Sequence, residues 1–291
     1  MCTTTISPAA AAAAAASASA SASASASASA SPSPSPSPSA PDIASEGGIA
    51  PPAAAGKNSL PNLHVSAHPV LSHKLSILRS SSTQPSEFRR VLREITFLLG
   101  YEATAGLATR PAALSVPLGP DHIDASGLQV ADRISLIPVL RSGLGMVDSL
   151  LELMPSAAVH HVGMYRGQGQ LPVQYYNRLP KRCDCSVAFV LDPVVGTGGT
   201  VASIVKILKR WGAPKIHVVG VVGAREGVDR LAEAHPDVSF TVGHVDECLT
   251  ADGCPLPGLG DAGDRLFGTD TFYDEEALVH HSKRRKCSID E

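Results

Sequence analysis

Val187-Ala-Phe-Val-Leu-Asp-Pro-Val-Val-Gly-Thr-Gly-Gly-Thr200 decides the fold. The apolar run reads as a buried strand, Asp192 stands at its carboxyl end, and a loop of small residues opens a helix. From Val201 to Trp211, Ile204, Val205 and Leu208 recur at helical spacing, and Gly212 supplies the stop. Glycines let a backbone come close to an anion, and a helix start offers unpaired N–H groups and a positive dipole end. Thr197 and Thr200 add hydroxyl donors. The stretch suits a phosphate group, with Asp192 placed to meet hydroxyls or a metal beside it.

Working outward, the same alternation continues. Ser66 to Leu99 carries helical spacing (Leu71, Leu75, Leu78, then Phe88, Val91, Ile95, Leu98), punctuated by Ser81-Ser-Thr-Gln-Pro85. Ile134–Val139 reads as a strand, Leu140–Gly145 as a tight loop and Met146–Met154 as a helix. Val159–Tyr165 reads as the next strand, followed by a turn at 167–170. Beyond the central unit come strand Ile216–Val222, a helix near Val228–Ala234 and strand Phe240–Val245. Strands alternating with helices predict an α/β fold, a mostly parallel sheet flanked by helices. Ligands of such sheets sit beyond the carboxyl ends of the strands, where the loops 140–145, 166–170 and 192–200 fall.

Other phosphate motifs do not compete. The nearest approach to a P-loop, Gly56-Lys57, has Pro51 for its first glycine and Asn58 for its hydroxyl. Gly258-Leu-Gly-Asp-Ala-Gly263 spells G-x-G-x-x-G, but Pro255 and Pro257 precede it and Asp264-Arg265 continues it, so neither the strand nor the apolar helix of a dinucleotide fold is expected around it.

Composition sets the boundaries. Ala9 to Ala40 is an alanine run, then Ser-Ala and Ser-Pro repeats, with no large side chain to offset the entropy of ordering. Residues 1–60 are therefore expected to be a disordered leader, 61–270 one domain, and 271–291 a flexible charged tail that contains the basic run 283–286. The leader lacks acidic residues before Asp42, as a transit peptide does, yet has no lysine before Lys57 and no arginine before Arg79. Plastid import is the preferred expectation, a solvated tail on a cytoplasmic protein the alternative. A formal net charge of −3 argues against general attraction to nucleic acid or membranes, so an anionic ligand needs a local cluster. Every apolar run falls far short of the ~20 residues of a membrane span. Cys183-x-Cys185 is not a zinc pair spacing, and the cysteines are expected to be free thiols.

In order along the chain stand His68-Pro-Val-Leu-Ser-His-Lys74, Tyr101-Glu-Ala-Thr104 and Ile137-Pro-Val-Leu-Arg-Ser-Gly-Leu-Gly-Met146. They are followed by Val162-Gly-Met-Tyr-Arg166, Asp192 to Thr200, His235-Pro-Asp237 and Pro257-Gly-Leu-Gly-Asp-Ala-Gly-Asp264. With these phrases the chain, from His68 to Thr269, resembles the uracil phosphoribosyltransferases of the type I phosphoribosyltransferase group. The last phrase is the one similar to the uracil branch specifically.

The resemblance implies a type I phosphoribosyltransferase fold with a small hood or arm region. It also implies transfer of ribose 5-phosphate from phosphoribosyl diphosphate (PRPP) to N1 of uracil, giving UMP and diphosphate. The PRPP site it implies is Arg141, Arg166, Asp192, Pro193, Val194, Val195, Gly196, Thr197, Gly198, Gly199, Thr200 and Asp261, with Asp192, Arg141 and Asp261 catalytic. Pro255, Gly260, Asp261 and Ala262 would read uracil. Mg2+ is expected as cofactor, bound mainly through the substrate diphosphate without a dedicated protein ligand. The expected partners are these small molecules, a GTP effector, and other copies of the chain in a dimer or higher homo-oligomer.

Plainer readings stand beside these. Asp192 reads equally as a helix cap, Arg141 and Arg166 as surface ion-pair partners, Gly198-Gly199 as a flexible turn. His68, His73, His160 and His161 read as packing or surface residues, and no general-base histidine is expected.

The chain also departs from the family pattern. Gly196 replaces a usual alanine and is expected to loosen the loop. Gly253-Cys-Pro-Leu-Pro257 replaces Gly-Tyr-Ile-Ile-Pro, so Pro255 removes an N–H beside the base. The segment after Arg166 is a residue shorter. These departures keep alive a rival, a catalytically weak or regulatory nucleotide-binding homologue. A phosphoribosyltransferase for another base is a second rival.

Overall fold

The structure, a computed structural model, describes residues 60–167 and 171–269. The leader, the basic tail, most of the turn at 167–170 and the Arg166 side chain lie outside what it describes. Along the chain run β1 (Leu63–Val65), α1 (Pro69–Arg79), α2 (Pro85–Thr104), β2 (Thr109–Leu118), β3 (Asp121–Val130) and β4 (Ile134–Leu140). A 3-10 turn (Ser142–Met146) leads to α3 (Val147–Leu153), β5 (Ala158–Val159), β6 (Val162–Arg166), β7 (Pro172–Asn177), β8 (Val187–Leu191) and β9 (Val194–Val195). Then follow α4 (Gly199–Trp211), β10 (Lys215–Ala224), α5 (Arg225–Ala234), β11 (Val238–Asp246), β12 (Cys248–Leu249), β13 (Pro255–Leu256) and α6 (Ala262–Phe267).

The main sheet has the order β1-β11-β10-β8-β4-β6-β7, with β5 beside β4 and β9 beside β10; only β7 runs antiparallel to its neighbour. Adjacent residues on its strands belong to different cores. Leu136, Phe189, Leu191 and Val219 pack under α1, α2, α3 and α6. Ile137, Ala188, Val190 and Val218 pack under α4 and α5 on the other face. A parallel sheet covered on both faces needs apolar residues at every position, and that is why its strands read as continuous apolar runs. Each large side chain removed from water this way contributes about 1.5–3 kcal/mol.

The central unit forms as its residues dictate. Val201, Ile204, Val205 and Leu208 make the buried stripe of α4, and Gly212 ends it at φ +93° with its N–H on the Leu208 and Lys209 carbonyls. The first helical stretch divides into α1 and α2. Pro69 and Pro85 each open a helix, and His68 caps α1 through Nδ1, accepting from the Val70 N–H at 3.2 Å.

Two expectations need correction. The strand at 159–165 is two: β5 pairs with the start of β4, β6 with its end, and His160 and His161 form the break between them. The loop at 140–145 coils into the 3-10 turn. The hairpin β2–β3 is exposed on both faces, so no inside–outside alternation marks it in the sequence. No helix among the described residues is long and apolar enough to cross a membrane.

Candidate active site

Asp192 closes β8 at the carboxyl edge of the sheet and is 7% exposed, its N–H donating to the Val219 carbonyl at 3.2 Å. It is not the helix cap. That place belongs to Gly198, at φ +80°, which offers no side chain to the first turn of α4. The leading amides of α4 have no acceptor within their own helix and no side-chain cap, which suits an anion. Asp192 and Val194–Val201 line one recess.

The loop between them is held on two sides. Val194 and Val195 pair with Val222 and Gly223 of β10. On the other side the Gly196 carbonyl is pressed against Gly227 of α5, where any Cβ would overlap it. The loop that carries Gly196 is thus in contact on both sides. Gly227, outside every phrase the sequence singled out, is what lets the loop lie there. Only the close approach in three dimensions identifies it.

Glycines also mark where the other segments close on this loop. Gly143, in the turn after Arg141, sits against the Leu191 carbonyl with no room for a Cβ. Gly253, at φ +75°, lies against Thr197, whose Cγ2 would be 2.6 Å from an added Cβ. A Cβ on Gly263 would be 3.1 Å from Asp261 Oδ1 and 3.5 Å from Arg141 Nη2. The turn at 141–146, the loop at 192–200 and the strip at 253–263 thus meet at one edge.

Arg141 is half exposed and donates to Asp264 Oδ1 at 2.8 Å and to Thr269 Oγ1 at 3.3 Å. Burial pushes the Asp264 carboxyl up, but hydrogen bonds from Thr269 and Arg141, with the Arg141 charge, outweigh it and hold the group below its ordinary range. The pair is charged, and Arg141 is oriented before any ligand arrives. Arg166 ends β6, level with Pro172 of β7; Pro172 Cδ lies 3.9 Å from where a Cβ on Gly199 would be.

Asp261 is exposed and caps α6, accepting the Asp264 N–H at 3.0 Å. Gly258 and Gly260 adopt φ +63° and +70°, and the Leu256–Pro257 peptide is cis, as is Leu140–Arg141. Pro255 is buried on β13 opposite Leu249. The Thr250 N–H bond to the Cys254 carbonyl makes Leu249–Pro255 the pair without ladder bonds, so the N–H missing at 255 costs the ladder nothing. Sequence reasoning missed the struts behind this strip. Arg265 donates to the Leu259 carbonyl at 2.8 Å and the Ser80 carbonyl at 2.6 Å, its guanidinium 4.5 Å above the Phe88 ring. Asp246 takes the Gly258 N–H.

A parallel sheet with an acidic residue after one strand, a glycine-cradled helix start and arginines at or just past two strand ends is the arrangement of a type I phosphoribosyltransferase. The family model described as uracil phosphoribosyltransferase matches residues 65–269, and the chain belongs to that family. Uracil phosphoribosyltransferases of Roseiflexus sp. (strain RS-1) and Dictyoglomus turgidum are 47% and 43% identical over 206 and 204 residues. Those spans cover 70% and 69% of this chain and 97% of each relative. Among solved structures, the AQ2163 protein from Aquifex aeolicus superposes with a TM-score of 0.66 at 30% identity, over 72% of this chain and all of that one.

Proposed function

We propose that the chain is an active uracil phosphoribosyltransferase, transferring the phosphoribosyl group of PRPP to uracil. The N1–C1′ bond of UMP forms as the C1′–O bond to diphosphate breaks, and the N1 proton passes to solvent. The observation that carries this is the convergence of the Arg141 turn, the Thr197 loop and the Asp261 strip, each seam closed by a glycine.

The Gly198–Thr200 amides and the Thr197 and Thr200 hydroxyls bind the 5-phosphate. Asp192 accepts from the ribose hydroxyls, and its charge favours a sugar becoming cationic at C1′. Arg141 turns from Asp264 to share the diphosphate with Arg166; each charge-assisted hydrogen bond there is worth roughly 1.5–3 kcal/mol. The main chain at Pro255 and Gly260–Ala262 reads the uracil edge without side-chain freedom to lose. Magnesium fits as a passenger of the diphosphate. The edge carries amides, hydroxyls and the Arg141 guanidinium beside the Asp192, Asp261 and Asp264 carboxylates, a set that admits a diphosphate together with its cation. When bound it would neutralise charge on the leaving group.

A homo-oligomer fits the exposed Leu118, Ile123 and Leu128 of the hairpin β2–β3. Sedimentation with and without GTP tests both the assembly and the effector, and imaging of a tagged full-length chain tests plastid import.

The second reading is a regulatory nucleotide-binding homologue. The proline at 255 and the Arg141–Asp264 pair favour it. Incubating the full chain with PRPP, Mg2+ and a panel of bases separates the two. UMP from uracil supports the enzyme; silence with every base alongside retained UMP binding supports the regulator.

A further inference from the structure

Asp246 ends β11 at the same sheet edge and is 3% exposed. Its Oδ2 accepts the Gly258 N–H at 2.9 Å in a buried hydrogen bond, and its Oδ1 takes the Arg79 guanidinium at 2.6 Å. His244 Nε2 lies 3.6 Å away. Burial first, then the Arg79 charge, holds the His244 imidazole below its ordinary range, so Arg79 is the cation that Asp246 faces. A buried carboxylate is costly unless both its oxygens are engaged. Here one engagement is with an ion, and the other is with the main chain two residues before Gly260.

That placement gives Asp246 a particular leverage. Gly258 is at φ +63° and closes on the Pro255 carbonyl, so the turn that it starts has little freedom to drift. Arg265 ties the next residue, Leu259, to Ser80, which adjoins Arg79 at the end of α1. The strip is thus fastened twice to one corner of the molecule. Neither fastening is made by the Thr197 loop.

We propose that Asp246 is a positioning residue for the nucleobase, setting through the Gly258 amide where the main chain of Leu259–Ala262 presents itself to uracil. The inference rests on the uracil phosphoribosyltransferase reading above. Its consequence is selective, because the base subsite depends on Asp246 and the phosphate loop does not.

Asp246→Asn keeps one acceptor oxygen and turns an amide N–H toward either Arg79 or Gly258. If that variant does not fold, Asp246→Ala with Arg79→Met removes both charges together and is read the same way. KM for uracil should rise roughly ten- to hundredfold, the loss of one charge-assisted hydrogen bond, while affinity for ribose 5-phosphate, which would sit at the Thr197 loop, stays within about twofold. Amide exchange in the 255–262 segment should quicken. An unchanged uracil KM, an equal loss of ribose 5-phosphate affinity, or unaltered exchange in a folded variant each overturns the proposal. A second binding pair needs no turnover: the variant should lose affinity for UMP but not for ribose 5-phosphate. If the parent chain makes no UMP from uracil, the functional reading fails, while exchange and the UMP comparison still decide the role of Asp246.

Discussion

Gly227→Ala adds one methyl group on α5, far in sequence from every recognisable motif. Its Cβ would overlap the Gly196 carbonyl oxygen and lie 2.9 Å from the Thr197 carbonyl carbon. Both neighbours are main chain, so neither can rotate aside. Restoring ordinary contact requires the phosphate loop and α5 to separate by about 1 Å, since a gap of that order already separates overlap from the van der Waals minimum. Overpacking of this kind costs typically about 1–3 kcal/mol of stability. The larger effect falls on catalysis. In a reaction that runs on positioning, a 1 Å misplacement costs on the order of 10²-fold, about 2.7 kcal/mol of transition-state stabilisation. Steady-state kinetics on the full chain, beside a thermal melt, measure both. A parallel Gly106→Ala variant is the control, because nothing lies within 4 Å of a Cβ there. A Gly227→Ala protein with kcat/KM for PRPP near the parental value would refute the claim that this contact holds the loop in place.

The other predictions concern single groups. Asp261→Asn should fold normally, since asparagine caps a helix about as well as aspartate, and should lose turnover; retained activity in a kinetic assay removes the Asp261 charge from the chemistry. Pro255→Ala restores an N–H at the base strip without disturbing the β12–β13 ladder and should lower KM for uracil, which a titration of uracil at saturating PRPP reads directly. His217 hydrogen-bonds Thr241 at 2.8 Å and stacks on Phe189; burial, then the His64 charge, pushes its imidazole down to about 4. The unfolded chain takes up this proton near pH 6.5 and the folded protein only near 4. Stability should therefore fall as pH drops through that window, by on the order of 3 kcal/mol in all. Denaturant melts of the parent and His217→Gln across pH 4–7 should differ in slope, and equal slopes would exclude His217 as the source.

Much of the architecture was legible because a parallel sheet announces itself. β8, β10 and β11 are covered on both faces, so their apolar runs are continuous, and Gly212 stops α4 by local geometry alone. The loop at 196–200 and the helix start behind it were legible because glycine, hydroxyl and helix stand next to one another in the chain. The hairpin β2–β3 was not, since an element exposed on both faces leaves no periodic signature. Nor was the true cap of α4, because an aspartate ahead of a helix suits capping whether or not two further residues of strand intervene.

By itself, then, the sequence determined the α/β alternation, the family and the chemistry each motif can support, because these depend on neighbours a few residues apart. Only the tertiary structure decided that Gly227 lies against Gly196, that Arg141 pairs with Asp264, and that Asp246 and Arg265 tie down Gly258 and Leu259. Those contacts join residues up to 185 positions apart. Whether two such groups meet is set by how the helices pack on the sheet, and no local pattern of side chains encodes that distance.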